Sequence, residues 1–309
     1  MFKKKTPIEG TINPNGLVAS PPDARDLLLS AIPLMQNVKR IPEVLPPLFD
    51  LTVVNQGDKP DCVGWSCASM KEEKELRERE NVQFSGEWIY REAKKSDGMP
   101  TLPGTFFREG LKVLQKIGAM PVGKTSLQEA GKYQIGTYAQ VDDLSFEGIK
   151  KAIAVNGAIL MGFRGPNQGW SSAYIRQPMA GEQVWGHATV GIGYNKNFII
   201  GINSWGKNWG DNGLFYVSKD YLPFEGWSVL VDLPSIYREN LGTVGYVAEN
   251  WTTMVLDKGT ILRATARLNF RARMNTMDLP IKTLNAGDKM VYQGERTNVG
   301  GYWWLKVSV

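Results

Sequence analysis

The chain has 309 residues, of which 42% are hydrophobic and 22% charged, and its formal net charge is +5. This composition is that of a globular protein of about two domains, which excludes wholesale disorder and a fibrous architecture. No apolar run approaches the ~18 residues of a membrane span, and no apolar segment follows the basic start Met1–Thr6. We therefore expect no membrane span, no secretory signal and synthesis in the cytoplasm; association with a virus particle stays open.

Two residue counts restrict the chemistry. The only cysteines are Cys62 and Cys67, and the only histidine is His187. If the cysteines share a helix, its axial rise of ~7.5 Å over five residues exceeds the ~7 Å limit on Cα separation in a disulfide. A structural zinc site usually has four Cys or His ligands, and this chain contains only three such residues in all, so we expect no such site. Any chemistry that needs an imidazole must use His187.

The first half of the chain is predicted to be helical. Residues 1–40 are rich in Pro and Gly and indicate an irregular arm. Asp61 is a good N-cap for a helix over Val63–Arg79, whose charged end Lys71–Glu80 indicates a solvated face. Three further helices are predicted over Glu87–Lys94, Thr105–Ile117 and Phe146–Val155.

The second half is predicted to be β-rich, which gives an α+β order. Its candidate strands are Ala158–Phe163, Ala188–Tyr194, Phe198–Ile202 and Leu214–Val217. Residues 234–257 indicate a linker. From Lys258 onward the pattern is all-β, with candidate strands Thr260–Ala266, Lys289–Gln293 and Trp303–Val307. Residues 258–309 contain nine Lys or Arg against three Asp or Glu, so this segment holds the basic excess of the chain.

One constellation could carry chemistry. Cys62 lies at a predicted helix start, where free N–H groups stabilise a thiolate, although free cysteine is also a common small core residue. A hairpin turning at Asn195–Lys196 would place His187 opposite Ser204 and beside Asn203. Cys, His and Asn are the parts of a thiol acyl-transfer site.

These residues resemble the papain family of cysteine peptidases over roughly Ile41–Leu233. The matching motifs are Gln56-Gly57 followed by Cys62, then Gly186-His187-Ala188, and then Asn203-Ser204-Trp205-Gly206 with Trp209, Gly210 and Gly213. The resemblance implies a papain-like α+β fold with a helical lobe and a β-barrel-like lobe. The Cys-Val-Gly-aromatic sequence at Cys62 is similar to a bacterial branch of the family.

The resemblance also implies roles for individual residues. Cys62 would be the nucleophile, His187 the proton carrier, Asn203 the group that orients the imidazole, and Gln56 an oxyanion-hole donor. Trp205 would shield the bond between Asn203 and His187. The remaining implied substrate-binding residues are Gly104, Thr105, Phe106, Phe107 and Trp185. No metal or cofactor is needed.

Several positions depart from the family pattern. Lys59 replaces a cysteine that usually forms a disulfide, which fits a reducing compartment. Asp61 replaces a small residue, and its charge should oppose a thiolate at Cys62. Thr105 stands where a second glycine is usual, and we expect it to narrow the backbone-binding groove.

The C-terminal segment, residues 258–309, resembles a bacterial Src-homology-3-like barrel. The similar motifs are Leu268-Asn269-Phe270-Arg271, Ala286-Gly287-Asp288-Lys289 and Tyr302-Trp303-Trp304-Leu305-Lys306-Val307. The resemblance implies binding to cell-wall peptides or other proteins, although a packing module without a ligand is equally compatible with it. The basic excess of the segment favours an anionic partner.

The leading hypothesis is a cysteine endopeptidase acting on proteins or peptides, with a C-terminal binding barrel. The alternatives are a peptidoglycan-cleaving cell-wall hydrolase and a bacteriophage structural or adaptor protein that keeps a papain-like shell. We expect no nucleic-acid partner. Whether residues 1–40 form an inhibitory pro-segment stays open.

Overall fold

The computed structural model describes residues 16–38, 40–77, 80–166 and 168–230, together with the backbone of five short strands beyond residue 260. Contacts divide these residues into two units. The first unit contains the described residues up to Leu29 and the range Glu43–Leu230. The second contains Ser30–Pro42 and the strands that follow Val231. The predicted linker 234–257 lies outside the described residues.

The elements are numbered in chain order. The helices are α1 (Pro33–Asn37), α2 (Cys62–Arg77), α3 (Gly86–Lys94), α4 (Phe107–Lys116), α5 (Leu127–Gly131) and α6 (Phe146–Asn156). The strands are β1 (Tyr138–Gln140), β2 (Ile159–Pro166), β3 (Tyr174–Ile175), β4 (Val184–Tyr194), β5 (Phe198–Ile202), β6 (Leu214–Ser218), β7 (Glu225–Val229), β8 (Ile261–Arg263), β9 (Leu268–Phe270), β10 (Lys282–Leu284), β11 (Lys289–Val299) and β12 (Tyr302–Ser308). Among the helices described, none is long and apolar enough to cross a bilayer.

The first unit is a helical layer packed on a seven-stranded sheet. The strand order is β1-β7-β2-β4-β5-β6-β3, and every pair is antiparallel except β3 with β6. Helix α2 contacts α3, α4 and strands β2 and β4, so one core joins the helices to the sheet. This arrangement confirms the predicted α+β class.

The four predicted helices and four predicted strands of this unit are confirmed, with bounds shifted by up to four residues. Two serine caps help to fix the helix starts. The Ser85 hydroxyl accepts the Trp88 N–H at 3.2 Å ahead of α3, and the Ser145 hydroxyl accepts the Gly148 N–H at 3.1 Å ahead of α6. Sequence patterns missed the short elements α5, β1, β3 and β7.

In the second unit, β11 pairs with both β12 and β8, and β10 pairs with β9. All of these pairs are antiparallel. Strands β11 and β12 confirm the strands predicted at Lys289–Gln293 and Trp303–Val307, and β8 falls within the predicted Thr260–Ala266.

The charged half of α2 does not form the predicted solvated face. Lys71–Glu75 are all buried, so that prediction is wrong for these five residues. The Lys71 ammonium pairs with Glu75 and donates to the Gln134 carbonyl at 3.1 Å, and Lys74 donates to the Asn156 carbonyl. The charges are tolerated inside because ion pairs and backbone carbonyls replace their water.

The hairpin of β4 and β5 has a different register from the predicted one. Val190 pairs with Ile202 and Tyr194 with Ile199, with a bulge at Ile192. The turn is also longer, because four residues lie between the paired Tyr194 and Ile199. Within it, the Asn195 N–H donates to the Phe198 carbonyl and the Asn195 side chain accepts the Phe198 N–H. The prediction assumed a two-residue turn and an unbulged strand, and it is wrong on both points.

Candidate active site

The predicted nucleophile lies where α2 meets strand β4. Cys62 is the first residue of α2 and is 1% exposed. Ala188 follows His187 on β4, and its N–H donates to Cys62 Sγ at 3.4 Å. Contact between these two elements therefore brings the only histidine's backbone beside the sulfur, although the residues are far apart in sequence.

Asn203 fixes the tautomer of the imidazole. His187 Nε2 lies 2.8 Å from Asn203 Oδ1, and the same oxygen accepts the Ser204 N–H at 2.8 Å. Because Oδ1 can only accept, Nε2 carries the proton and donates. The neutral ring then leaves Nδ1 as its acceptor, which is the state needed to take a proton from a thiol.

Three indole rings surround the imidazole. The Trp205 ring lies 4.7 Å from the His187 ring at an interplanar angle of 30°, and Trp170 and Trp185 stand edge-on at 5.5 and 5.8 Å. Sequence reasoning singled out Trp185 and Trp205 but missed Trp170, which lies in an isolated 3₁₀ turn outside the recognised motifs. The rings replace water around the bond between His187 and Asn203.

The side-chain amide of Gln56 is held in one orientation. Its Oε1 accepts the Ser204 hydroxyl at 2.6 Å, and its Nε2 donates to the Lys59 carbonyl at 2.7 Å. The second N–H of Nε2 remains for a ligand, as an oxyanion-hole donor requires. Ser204, present in the sequence motif but given no role there, is thus the residue that sets the direction of the amide.

The N-terminal arm lies across the sulfur. The Leu17 N–H donates to the Gly186 carbonyl at 3.1 Å, and the Val18 N–H donates to the Thr105 carbonyl at 3.0 Å. The Thr105 N–H donates in turn to the Gly16 carbonyl at 3.2 Å. A Cβ on Gly16 would lie 2.4 Å from Cys62 Sγ, so only glycine fits at this point of the arm.

The Leu17 side chain is buried in an apolar pocket. A Cβ added to Gly162 would lie 2.6 Å from Leu17 Cδ2, 3.2 Å from Phe107 Cε2 and 3.4 Å from Phe224 Cζ. Gly162 therefore forms the pocket floor, with the rings of Phe107 and Phe224 beside it. Phe107 was predicted to bind substrate, whereas Gly162 and Phe224 were not anticipated because no motif contains them.

The remaining predicted binding residues lie at the start of α4. Phe106 is its half-buried N-cap residue, and Gly104 has a positive φ of 78°. Thr105 is fully buried, and its hydroxyl donates to Asp97 Oδ2 at 2.9 Å. The hydroxyl is thus directed into the protein, while the Thr105 backbone faces the arm.

Buried polar groups hold the arm beyond the pocket. Glu225 Oε2 accepts the Ser20 N–H at 3.0 Å. Arg108 donates to the Pro21 carbonyl at 2.6 Å and through Nε to Asp26 Oδ1 at 2.9 Å. We call Arg108 and Glu225 the clasp, since Arg108 binds the arm to helix α4 and Glu225 binds it to strand β7.

Burial keeps the candidate catalytic pair neutral while the arm is in place. It raises the pKa of the Cys62 thiol to about 12, against the opposing Ala188 amide, and lowers the pKa of His187 to about 4. Burial also raises the pKa of Asp61 to about 6. Within the described part of the chain, no three His, Cys, Asp or Glu side chains are grouped to hold a metal ion.

Comparisons with known proteins identify the family and the fold. The model of the papain family cysteine proteases matches residues 68–223, which include His187 and Asn203. Gln56 and Cys62 precede the matched range. An uncharacterized peptidase C1-like protein of Acanthamoeba polyphaga mimivirus is 25% identical over 277 residues, covering 71% of this chain and 88% of that protein.

Solved structures share the fold. Xylellain, a cysteine protease from Xylella fastidiosa, has a TM-score of 0.62 at 22% identity and covers 74% of this chain and 99% of its own. A procathepsin B from Trypanosoma congolense has a TM-score of 0.57 at 12% identity, covering 71% of this chain and 86% of its own. The family match spans half of the chain. It follows that the chain belongs to the papain family of cysteine proteases.

Proposed function

We propose that the protein is an endopeptidase that cleaves protein substrates through Cys62 and that its N-terminal arm inhibits it until the arm is displaced. The observation that carries this proposal is the position of Gly16–Val18. This segment covers the sulfur and occupies the backbone hydrogen-bonding groups of Gly186 and Thr105. A peptide substrate needs the same groups.

The mechanism begins when the arm leaves and water reaches the site. The Cys62 proton moves to Nδ1 of His187, and the thiolate attacks the substrate carbonyl carbon. The oxyanion is received by the Gln56 Nε2–H and the Cys62 backbone N–H. His187 then protonates the leaving amine, and the C–N bond breaks. A water molecule, deprotonated by His187, hydrolyses the acyl-enzyme and restores the thiol.

The proposed substrate carries an apolar side chain next to the residue that lies at Cys62. Support comes from Leu17, which follows Gly16 in the arm and fills the pocket of Gly162, Phe107 and Phe224. A peptide library is therefore expected to select aliphatic or aromatic residues for this pocket, and selection of Lys or Arg would contradict the assignment.

The test compares the full chain with the arm variant Leu17→Asp, which places a charge in the apolar pocket. We expect Leu17→Asp to raise casein hydrolysis and Cys62 labelling by an epoxysuccinyl inhibitor. Adding Cys62→Ala should abolish both. Cys67→Ala is the matched control, because Cys67 packs against Gly110 inside the helical layer, and it should leave activity nearly unchanged.

The same experiment separates the alternative functions. Turnover of purified peptidoglycan without turnover of casein would identify a cell-wall hydrolase. Absence of labelling in both the full chain and Leu17→Asp would favour a structural or adaptor protein.

We further propose that residues 258–309 localise the enzyme by binding an anionic partner. Support comes from their nine basic against three acidic residues and from the similarity of their motifs to bacterial binding barrels.

A further inference from the structure

The loop that leads into the substrate groove is built around one ammonium group. Lys94, at the end of α3, donates through Nζ to the carbonyls of Met99, Leu102 and Gly104 at 2.6, 2.9 and 3.1 Å. The same Nζ lies 2.7 Å from Asp97 Oδ2. Three carbonyl dipoles that converge on one point repel each other, so the cation is what allows the loop to close in this way.

The peptide group between Gly104 and Thr105 connects this cation to the groove. The Gly104 carbonyl accepts a hydrogen bond from Lys94. The Thr105 N–H lies in the same peptide plane and points in the opposite direction, and it donates to the Gly16 carbonyl of the arm. A cation on the carbonyl fixes the direction of the N–H and also polarises it into a stronger donor. Lys94 therefore acts on the groove through a single peptide plane.

Asp97 holds the next peptide group through the Thr105 side chain. Its Oδ2 accepts the Thr105 hydroxyl at 2.9 Å and its Oδ1 accepts the Met99 N–H at 2.8 Å. The Thr105 carbonyl then faces the arm and accepts the Val18 N–H. The Thr105 hydroxyl thus adds a hydrogen bond from the loop to Asp97, which a glycine at this position could not make.

This cluster is internal rather than a surface ion pair. The Asp97 side chain is 0% exposed and the Lys94 side chain is 16% exposed. Burial would raise the pKa of Asp97, but the hydrogen bonds from Lys94, the Met99 N–H and the Thr105 hydroxyl outweigh it and lower the pKa. Surface lysine pairs contribute little, whereas removal of one partner of a buried pair leaves an uncompensated charge.

We propose that Lys94 and Asp97 are positioning residues for substrate binding, which hold the N–H and carbonyl of Thr105 at the geometry that a peptide backbone requires. This inference rests on the peptidase function proposed above, because the backbone bound there in turnover is that of the substrate. In the inhibited chain the same groups bind the arm, so the inference also applies without turnover.

The first test uses the full chain and needs no substrate. Lys94→Met should speed alkylation of Cys62 by iodoacetamide about tenfold, because the arm loses well-aligned bonds to Thr105. The matched control is Lys95→Met, whose side chain is 65% exposed and pairs with Glu92 on the surface. We expect Lys95→Met to react at the rate of the unaltered chain.

The second test measures hydrolysis in the Leu17→Asp background. Lys94→Met should raise KM for a fluorogenic peptide about tenfold and leave kcat nearly unchanged, since the lost contacts bind backbone away from the reacting atoms. A merely structural role would instead lower the active fraction and therefore the apparent kcat. Thr105→Val should raise KM as Lys94→Met does, whereas Thr105→Ser, which keeps the hydroxyl for Asp97, should not.

The outcomes separate this inference from the proposed function. Unchanged alkylation in a folded Lys94→Met chain overturns the inference, as does a fall in kcat at constant KM. If Lys94→Met fails to fold, the pair Thr105→Val and Thr105→Ser decides, and equal alkylation rates for the two overturn it. If no variant hydrolyses peptides but Lys94→Met and Thr105→Val still speed alkylation, the positioning role stands and the peptidase function fails.

Discussion

Asp61 is a buried carboxyl directly before Cys62, the proposed nucleophile. It is 1% exposed, and its charge contributes to the raised pKa of Cys62. Burial raises its own pKa from 3.8 to about 6. Asp61, which the sequence predicted as a helix cap, therefore takes up a proton at a higher pH than a solvent-exposed aspartate does.

The Asp61→Asn variant is expected to change the pH dependence of stability. The folded pKa lies above the unfolded one, so the folded protein binds more protons between about pH 4 and 6 and loses stability as pH rises through that window. Asn does not titrate and therefore removes this loss. The difference in free energy of unfolding between Asp61→Asn and the unaltered chain should be more favourable to the variant at pH 7 than at pH 4, by roughly 1 to 3 kcal/mol. Urea unfolding at both pH values measures it.

The exposed neighbour Asp58 supplies the control, because Asp58→Asn makes the same change of charge at the surface and not at a buried position. An Asp61→Asn curve parallel to that of the unaltered chain would show that the carboxyl is hydrated in the native state.

The floor of the apolar pocket is a single glycine. Gly162→Ala adds a methyl group at the point where Leu17 Cδ2 lies 2.6 Å away. We expect the variant to select smaller side chains than Leu in a peptide library, because one methyl group in a tight pocket discriminates about tenfold or more. Unaltered selection for Leu would place the specificity pocket elsewhere.

The proposed inhibition depends on how the arm is held. Its bonds to the catalytic groove are few, and the clasp residue Arg108 makes the charged ones, to Asp26 and to the Pro21 carbonyl. The Arg108 guanidinium also lies 5.5 Å from the Trp227 ring centroid, which anchors it in the sheet. Arg108 and Asp26 thus form a largely buried charge pair, since each side chain is only 10% exposed.

Arg108→Met should loosen the arm and raise the rate of Cys62 alkylation in the full chain by about tenfold or more, since hydrogen bonds to charged groups are worth about 1.5–3 kcal/mol. Arg25→Met is the matched control, because Arg25 belongs to the arm itself and pairs with Asp23 while 88% exposed. Asp26→Asn breaks the same pair from the other side and should speed alkylation in the same direction. Equal rates for Arg108→Met, Asp26→Asn and Arg25→Met would contradict the role of the clasp.

The helices and strands differ in how far the sequence could predict them. Helix α2 was predictable because caps, helix propensity and residue spacing are local properties. The burial of Lys71–Glu75 was not, since their partners include the carbonyls of Gln134 and Asn156, which only the tertiary fold brings near. The hairpin register failed for a similar reason, because a bulge at Ile192 leaves no local pattern.

In the candidate site, too, the residues in local motifs could be predicted, and those that depend on tertiary packing could not. Cys62, His187, Asn203 and Gln56 could be proposed because they lie in ordered motifs of fixed spacing. Trp170, Gly162 and the arm residue Gly16 lie outside those motifs. Their contribution is one of shape around the site, and shape depends on packing between distant segments.

At the scale of the whole molecule, the charge is divided between the segments. Residues 258–309 carry a balance of +6, from nine basic and three acidic residues, so residues 1–257 net −1. A chain that ends after residue 257 should hydrolyse a small fluorogenic peptide at nearly the rate of the full chain, both compared in the Leu17→Asp background. It should lose salt-sensitive binding to an anionic surface such as heparin-agarose, because long-range attraction to charge is screened by salt. Loss of small-peptide turnover in the shortened chain would make the C-terminal segment part of the catalytic architecture.

The three indole rings around His187 should make the tryptophan fluorescence of the protein sensitive to the protonation of this imidazole. The ring centroids of Trp170, Trp185 and Trp205 all lie within 5.8 Å of the imidazole centroid. A protonated imidazole quenches indole fluorescence by accepting charge from the excited ring, whereas the neutral imidazole beneath the arm does so far less. When the arm leaves and His187 takes the thiol proton, the emission of these tryptophans should fall. The enzyme would thereby report its own activation to a fluorimeter, with no dye attached and no substrate added.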